Sequence, residues 1–551
     1  MKSSGKKIVA AKADGASETK PPRAPFDWRG WLTPAAGGLA GALAFVPAGW
    51  WFLAPLAPLA LFITLKNAPT TKSAFRRVLL GSWIFYFGAI QWLLTIRVYA
   101  PLEILGVLGI VMLALYMALW IAVPMWAVRR WLWPNSAGMQ LAAFGSVWLI
   151  SEWCRTLGRL ANPLGLIGHS WAQQPWAIQI AEWLGELGVT FEILAVAGLL
   201  VYWAHALKTK TTRRPVYLAL ACSAVLVFVV AFLAVVRLAA VSPPPSAQPH
   251  INVAIVQPYV EQFAKLNAYL NPDEKIRQDL SGQIAELNRQ LVMGNREPDW
   301  QLVVMPETAY TEMDFFTNEP LKNKVGQLAR DAKVDMLFGA DRDMEPLGGK
   351  EIYNSAYLAR PDGTLDKTVY DKMRLVPFGE ALPYFDLIPG FQESIVGIGS
   401  FNEGKTPGLF ESHGMKFGVM ICFESTFSQM GRMLANQGAD FLAVITNDAW
   451  YGMSAGPQAH FNLSLLRAVE TRRWIVRAAN TGISAIITPQ GTVQKSLALG
   501  ARGVITGAIP KSDGARATFF MRWGNTWLIG AAWATLIAAL CARLRKKTNA
   551  A

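Results

Sequence analysis

Cys422 stands at the end of an apolar, β-prone run, Gly418-Val419-Met420-Ile421, and is followed at once by Phe423, Glu424 and Ser425. A thiol so placed sits where a strand stops and a helix could begin, and a helix N-terminus favours the thiolate. Glu307 closes a second apolar run, Leu302-Val303-Val304-Met305-Pro306, and Thr308-Ala309-Tyr310 add no charge, which predicts a partly buried carboxylate fit to act as a base. Lys372 lies in the polar-to-apolar passage Tyr370-Asp371-Lys372-Met373-Arg374-Leu375-Val376-Pro377-Phe378-Gly379-Glu380. Singly, these could be a core cysteine, a solvated carboxylate and a surface lysine. Together they are the parts of an acyl-transfer site, in which the thiol attacks a carbonyl, the base takes the proton and the cation offsets the oxyanion.

The elements that must carry them read as alternating strands and helices. Residues 251–256 form a buried strand, and Asn271-Pro272-Asp273-Glu274 opens a helix with Ile276, Leu280, Ile284, Leu287 and Leu291 on one stripe. Then come the strand ending at Glu307, a helix near 320–332, and strands near 335–340, 352–360 and 365–370. After the Cys422 strand the pattern gives a helix near 426–437, a strand near 440–446, a helix near 457–479 and paired strands near 483–497. This is one α/β domain over residues 242–521. Its segment 381–402 is unusually apolar and glycine-rich, and is expected to be a mobile arm dipping into lipid, with Gly390, Gly397 and Gly399 as hinges.

Outside this domain the chain is built for a bilayer. Of its 551 residues 52% are hydrophobic, with 22 tryptophans. Eight apolar stretches, near 31–48, 50–65, 77–97, 104–128, 138–156, 188–207, 216–240 and 523–542, approach the ~20 residues a spanning helix needs. Lys66, Lys72, Arg76 and Arg77 follow the second, Arg129 and Arg130 the fourth, Lys208, Lys210, Arg213 and Arg214 the sixth, and Arg543, Arg545, Lys546 and Lys547 the last. Every second loop is thus basic, as is the N-terminal tail, which puts these on the cytoplasmic side and the α/β domain outside. The organisation reads as a disordered tail over 1–27, a seven-span bundle over 28–241 closed by a proline-rich linker, the catalytic domain over 242–521, a last helix over 522–543 and a tail over 544–551. Gly37-x-x-x-Gly41 predicts close helix packing, and Trp171, Trp176 and Trp183 suit an interfacial segment.

The formal charge of +14 resides in these topological clusters rather than along one solvated face, which argues against nucleic acid. Cys154, Cys222, Cys422 and Cys541 make no disulfide framework, and the five histidines, His169, His205, His250, His413 and His460, lack metal-site spacing, so no metal or cofactor is expected.

Met305-Pro306-Glu307-Thr308-Ala309, Tyr370-x-Lys372-x-x-Leu375-Val376-Pro377-Phe378-Gly379-Glu380 and Ile421-Cys422-Phe423-Glu424 resemble the Glu-Lys-Cys motifs of the nitrilase superfamily. The resemblance implies an α-β-β-α sandwich on a multi-span α-helical bundle, with Glu307 as general base, Lys372 as oxyanion stabiliser and Cys422 as nucleophile. It marks Glu380, Glu424, Gln257, Asn354, Phe423 and Trp450 as supporting or substrate-binding, the last within Asn447-Asp448-Ala449-Trp450-Tyr451-Gly452. After Gln257 the superfamily commonly has Gly-Asn where this chain has Pro258-Tyr259, and Leu266 lies where a tryptophan would be expected. With spans on both sides of the domain, the chain is similar to the membrane-embedded branch of that superfamily. That likeness implies an acyl donor drawn from membrane phospholipid, and as acceptor the N-terminal amine of a diacylglyceryl apolipoprotein. It also implies a multi-pass place in the bacterial inner membrane, with the catalytic domain in the periplasm. A membrane-tethered amidase or hydrolase, and an inactive lipoprotein-binding scaffold, are the competing readings.

Overall fold

The computed structural model describes residues 27–548 except 48, 100–102, 134–135, 209–213, 240–248, 312–314, 316, 344–350, 385–400 and 513–516. The N-terminal tail, most of the proline-rich linker and the arm residues Gly390, Gly397 and Gly399 lie outside the described residues.

Each of the eight apolar stretches carries a helix: α1 (Arg29–Leu43), α2 (Leu56–Asn67), α3 (Thr71–Ile90), α4 (Glu103–Ala127) and α5 (Ala137–Arg155), then, after the short α6 (Ala181–Leu184), α7 (Glu186–Lys208), α8 (Arg214–Leu238) and the final helix (Thr526–Thr548). Polar caps start two of them, with Thr70 accepting from the Ser73 N–H and Ser136 from the Met139 N–H. Among the described residues five helices, over Thr71–Ile96, Gly106–Leu132, Glu186–Leu207, Val216–Leu238 and Thr526–Arg545, are long and apolar enough to cross a bilayer, whereas Trp51–Asn67 is shorter. The glycines of α1 do pack helices: a Cβ on Gly37 would lie 2.2 Å from that of Ala60 on α2, and one on Gly38 would lie 2.2 Å from the Gly81 carbonyl on α3.

The rest of the chain forms two six-stranded sheets face to face. The first uses β1 (His250–Gln257), β2 (Leu302–Val304), β3 (Asp335–Asp343), β4 (Ile352–Ala359), β5 (Tyr370–Asp371) and β12 (Gly503–Pro510), in the order β12-β1-β2-β3-β4-β5. The second uses β6 (Leu409–Ser412), β7 (Met415–Ile421), β8 (Phe441–Thr446), β9 (Trp474–Ala479), β10 (Ser484–Ile487) and β11 (Val493–Leu497), in the order β11-β10-β9-β8-β7-β6. In each sheet three parallel strands, β1-β2-β3 and β7-β8-β9, occupy the middle and antiparallel strands the edges. Val253, Ile255, Val304 and Leu337 of the first sheet share a buried cluster with Val419, Ile421, Ala443 and Val476 of the second. On the outer face of the first sheet lie α10 (Glu274–Gly294) and α11 (Glu319–Ala332), with α9 (Gln262–Leu270) alongside α10. The second sheet is covered by α12 (Ser428–Asn436) and α13 (Gly456–Thr471), and α14 (Phe519–Trp523) leads into α15, the final helix.

This is an α-β-β-α sandwich, and one outer layer is also the seat of the domain. Phe423, Phe427, Leu434, Leu465 and Val469 belong to the same buried cluster as Phe85, Met117, Trp148 and Ile193 of the bundle, so apolar packing runs unbroken from the membrane helices to the second sheet.

Two expectations are corrected. The helix read over 457–479 ends at Thr471, where Arg472 turns left-handed with φ +50°, and the remainder is β9, because the parallel ladder with β8 overrides local helical propensity. The strand read over 365–370 shrinks to Tyr370–Asp371, its earlier half held by an isolated bridge from Leu365 to Ala359. The tryptophans of 157–187 divide: Trp176 and Trp183 stay partly exposed, while Trp171 is buried and its indole donates to the Trp51 carbonyl (3.0 Å).

Candidate active site

Parallel strands present their carboxyl ends together, and there the sheets deliver the three candidate residues. Glu307 follows β2, Cys422 follows β7, and Lys372 follows the edge strand β5. All three are buried, Lys372 completely. Glu307 is gripped at both oxygens: Oε1 accepts from Asn354 Nδ2 (2.7 Å) and Lys372 Nζ (3.3 Å), and Oε2 accepts from the Asn447 N–H (2.7 Å). Lys372 Nζ also donates to Glu380 Oε1 (2.7 Å), whose other oxygen accepts from the Val376 N–H (2.9 Å). One cation thus holds two carboxylates. Asn354 Nδ2 leans towards Glu380 as well (3.4 Å), and its buried Oδ1 accepts from no described group.

The backbone is bent where the chemistry would occur. Thr308, next to Glu307, has φ +47°, and Cys422 itself has φ +51°, conformations that non-glycine residues keep only when their surroundings impose them. Gly339 lets β3 pass close by, for a Cβ there would lie 2.8 Å from the Glu307 Cα.

Burial pushes the Cys422 thiol up, the Glu307 charge adds to this and the Lys372 charge opposes it. The thiol therefore rests protonated and needs a base during attack. Burial would push Lys372 down, but the Glu380 and Glu307 charges outweigh it and hold the ammonium well above its ordinary 10.5. A folded value raised above the unfolded one leaves this contribution to stability fully present below about 10.5 and lost only as pH climbs through the higher, folded value. The cation persists across the physiological range.

The supporting residues separate. Glu424, two residues past the thiol, accepts from four donors: Tyr370 OH (2.8 Å), the N–H groups of Met373 (2.6 Å) and Arg374 (3.1 Å), and that of Ile421 (2.8 Å). It ties the chain around Lys372 to the chain around Cys422, and burial pushes it up to about 7 in spite of those donors. Gln257 lies away from the three candidates: its amide donates to the Ala498 and Ala501 carbonyls (2.9 and 2.8 Å) and accepts from the Ser484 N–H (3.0 Å), closing one sheet onto the other. Phe423 packs edge-on against Phe427 at 5.1 Å in the cluster shared with the bundle. Trp450 is half-buried in a turn whose Tyr451 meets Trp92 of the bundle edge-on at 4.9 Å.

One further residue at the site escapes the sequence reading, and Asn447 is marked there only as part of the segment that holds Trp450. Lys265 of α9, almost wholly buried, donates to the Thr308 carbonyl (2.8 Å) and hydroxyl (3.0 Å), pinning the strained residue beside Glu307. Burial lowers it to about 7 against the Glu307 and Asp341 charges. Asn447, whose N–H holds Glu307, is fixed in turn by Gln262 (3.0 Å) and Asn480 (2.9 Å). A buried lysine on an amphipathic helix reads as a surface residue in sequence, so no local signal marks it.

A sandwich with a carboxylate, an ammonium and a thiol converging at its strand ends defines a protein of the carbon–nitrogen hydrolase class, and residues 243–518 match the Carbon-nitrogen hydrolase family. Residues 37–199 match the Apolipoprotein N-acyltransferase N-terminal domain. The chain is 31% identical to the apolipoprotein N-acyltransferase of Brucella melitensis over 93% of this chain and 95% of that one. Identity to the enzyme of the same name from Azotobacter vinelandii is 30%, over 92% and 95% of the two chains, and to that from Geobacter metallireducens 28%, over 93% and 94%. The chain belongs to the apolipoprotein N-acyltransferase family, acyltransferases of the nitrilase superfamily built into a membrane.

Proposed function

We propose that this chain moves an acyl chain from a membrane phospholipid to the N-terminal α-amine of a diacylglyceryl cysteine on an apolipoprotein, by way of a thioester on Cys422. The observation that carries the reading is the single buried constellation of Glu307, Lys372 and Cys422 in a domain whose packing is continuous with a membrane bundle. Glu307 takes the thiol proton as sulfur attacks the ester carbonyl, and Lys372 offsets the oxyanion of the tetrahedral intermediate. Collapse expels the lysophospholipid alkoxide, which recovers the proton from Glu307. The acceptor amine then attacks the thioester and gives its proton to Glu307. Collapse of the second intermediate yields the amide and returns the proton to sulfur. Donor and acceptor use one site in turn, so ping-pong kinetics are expected.

A phospholipid with a clickable acyl chain tests this directly. Label should appear on Cys422 and pass to the amine of a diacylglyceryl lipopeptide. Rapid release as free fatty acid would mean a hydrolase instead, and an unlabelled chain a scaffold.

The orientation belongs to the same proposal. The alternating basic loops support a catalytic domain over 242–521 in the periplasm of an inner-membrane protein, between helices at 28–241 and 522–543. A periplasmic reporter fused after Gln248 should be active and one fused after Lys210 silent; the reverse pattern would reject the arrangement.

A further inference from the structure

The left-handed Cys422 is held from two sides. On one, the Glu424 carboxylate accepts from the Ile421 N–H (2.8 Å) just before it. On the other, the Cys422 carbonyl accepts from Ser425 Oγ (2.8 Å) and lies 3.0 Å from His460 Nε2, which is also 2.9 Å from that hydroxyl. His460 comes from α13, nearly forty residues later in the chain, and is itself braced: Nδ1 faces Asp448 Oδ1 at 2.7 Å and lies 3.2 Å from Arg477 Nη2. Asp448 is locked by Arg477 (2.9 Å) and by the Thr446 hydroxyl (3.0 Å). Ser425, His460, Asp448 and Arg477 are all buried, so neither the imidazole nor its brace has solvent to fall back on.

Asp448 adjoins Asn447, whose N–H is the donor to Glu307 Oε2. The turn after β8 therefore touches both ends of the proposed proton transfer, the base directly and the nucleophile through the imidazole. Ser425, His460 and Asp448 also stand in the order of a serine-hydrolase triad, yet the hydroxyl is enclosed and committed to the Cys422 carbonyl, which makes this a brace and not a second nucleophile.

We propose that His460, braced by Asp448, is a positioning residue for acyl loading, gripping the Cys422 carbonyl so that the thiol is held in line with Glu307. The inference rests on Cys422 being the acylated thiol. The bond it depends on is donated by Nε2–H while Nδ1–H donates to Asp448, which makes His460 the cationic partner of that carboxylate, and side-chain geometry separates this from simple filling of space. A glutamine amide nitrogen reaches about where imidazole Nε2 stands, whereas an asparagine amide nitrogen reaches only as far as Nδ1.

The test uses the full chain in phosphatidylethanolamine nanodiscs, with Cys422 loading followed by intact mass, alongside His460→Gln, His460→Asn and His460→Leu. Asn and Leu should slow maximal loading by about 100-fold at an unchanged lipid concentration for half-maximal rate, the size expected of a misplaced reacting group, and Gln should recover at least about tenfold of that loss. Loading of the Leu variant within about twofold of wild type would overturn the proposal. So would equal rates for Asn and Gln, which also decides the matter if Leu does not fold, or a loss seen only in half-saturation or thermal stability. A wild-type chain that never carries acyl on Cys422 while still transferring it would instead remove the reading on which the inference stands.

Discussion

Cys422→Ala should carry no acyl label and transfer none, while Glu307→Gln should keep the thiol yet load it at least about 10³-fold more slowly, the scale at which general-base catalysis operates. The two losses differ in kind. Removing sulfur removes the covalent intermediate, so no increase in lipid or time restores it. Removing the carboxylate leaves a buried thiol that burial keeps protonated, with no base to take its proton during attack. Glutamine fits the space and keeps an oxygen, but its amide nitrogen would oppose one of the donors that now converge on Glu307, Asn354 Nδ2 or the Asn447 N–H. Some positional disorder is therefore included in the expected loss. The double variant should be no worse than Cys422→Ala alone, since residues that act as one unit are non-additive. Loading is read by intact mass and folding by thermal unfolding. Robust transfer by Cys422→Ala in a folded chain would end the thioester mechanism.

Much of the fold is written locally. β2 and β7 are near-continuous apolar runs, as strands covered on both faces must be, and each stops at a residue of unlike chemistry, Glu307 beyond Pro306 and Cys422 after Ile421. The eight apolar stretches likewise give their helices directly, because length and hydropathy are properties of a single segment. What is not legible depends on segments far away in the chain. Nothing near Asn447 says that its N–H will hold Glu307, 140 residues earlier, and nothing near His460 says that it will meet a carbonyl from another layer. The resemblance marks Glu424, with one residue between it and the thiol, as supporting or substrate-binding. In the fold that one step turns the side chain towards the Lys372 segment, where it serves the backbone. Helix α13 ends sooner than its own residues predict for the same reason, because pairing of β9 with β8 decides where it stops.

Lys372→Met should lower loading by about 10²–10³-fold through loss of the oxyanion partner alone, and by more than that in practice. The surplus comes from the ground state. Lys372 Nζ is shared by Glu307 (3.3 Å) and Glu380 (2.7 Å), and it is completely buried. With the cation gone, two carboxylates face one another in a closed site, and like charges so placed hold a proton between them, occupying the group that should act as base. Residual loading in Lys372→Met should accordingly rise with pH, as that proton is lost, whereas the wild-type rate should show no limb from Lys372 below about 10.5. Leaving a buried charge uncompensated also costs about 3–5 kcal/mol of stability, so the unfolding midpoint should fall together with activity. Lys372→Arg separates the contributions: it restores the charge and should recover the stability, but its planar fork cannot place one donor midway between two carboxylates and on the oxyanion, so most of the rate loss should remain. If Lys372→Met loads Cys422 at the wild-type rate, the oxyanion is stabilised by something other than this ammonium, and its place between Glu307 and Glu380 is an ion pair that serves the fold alone.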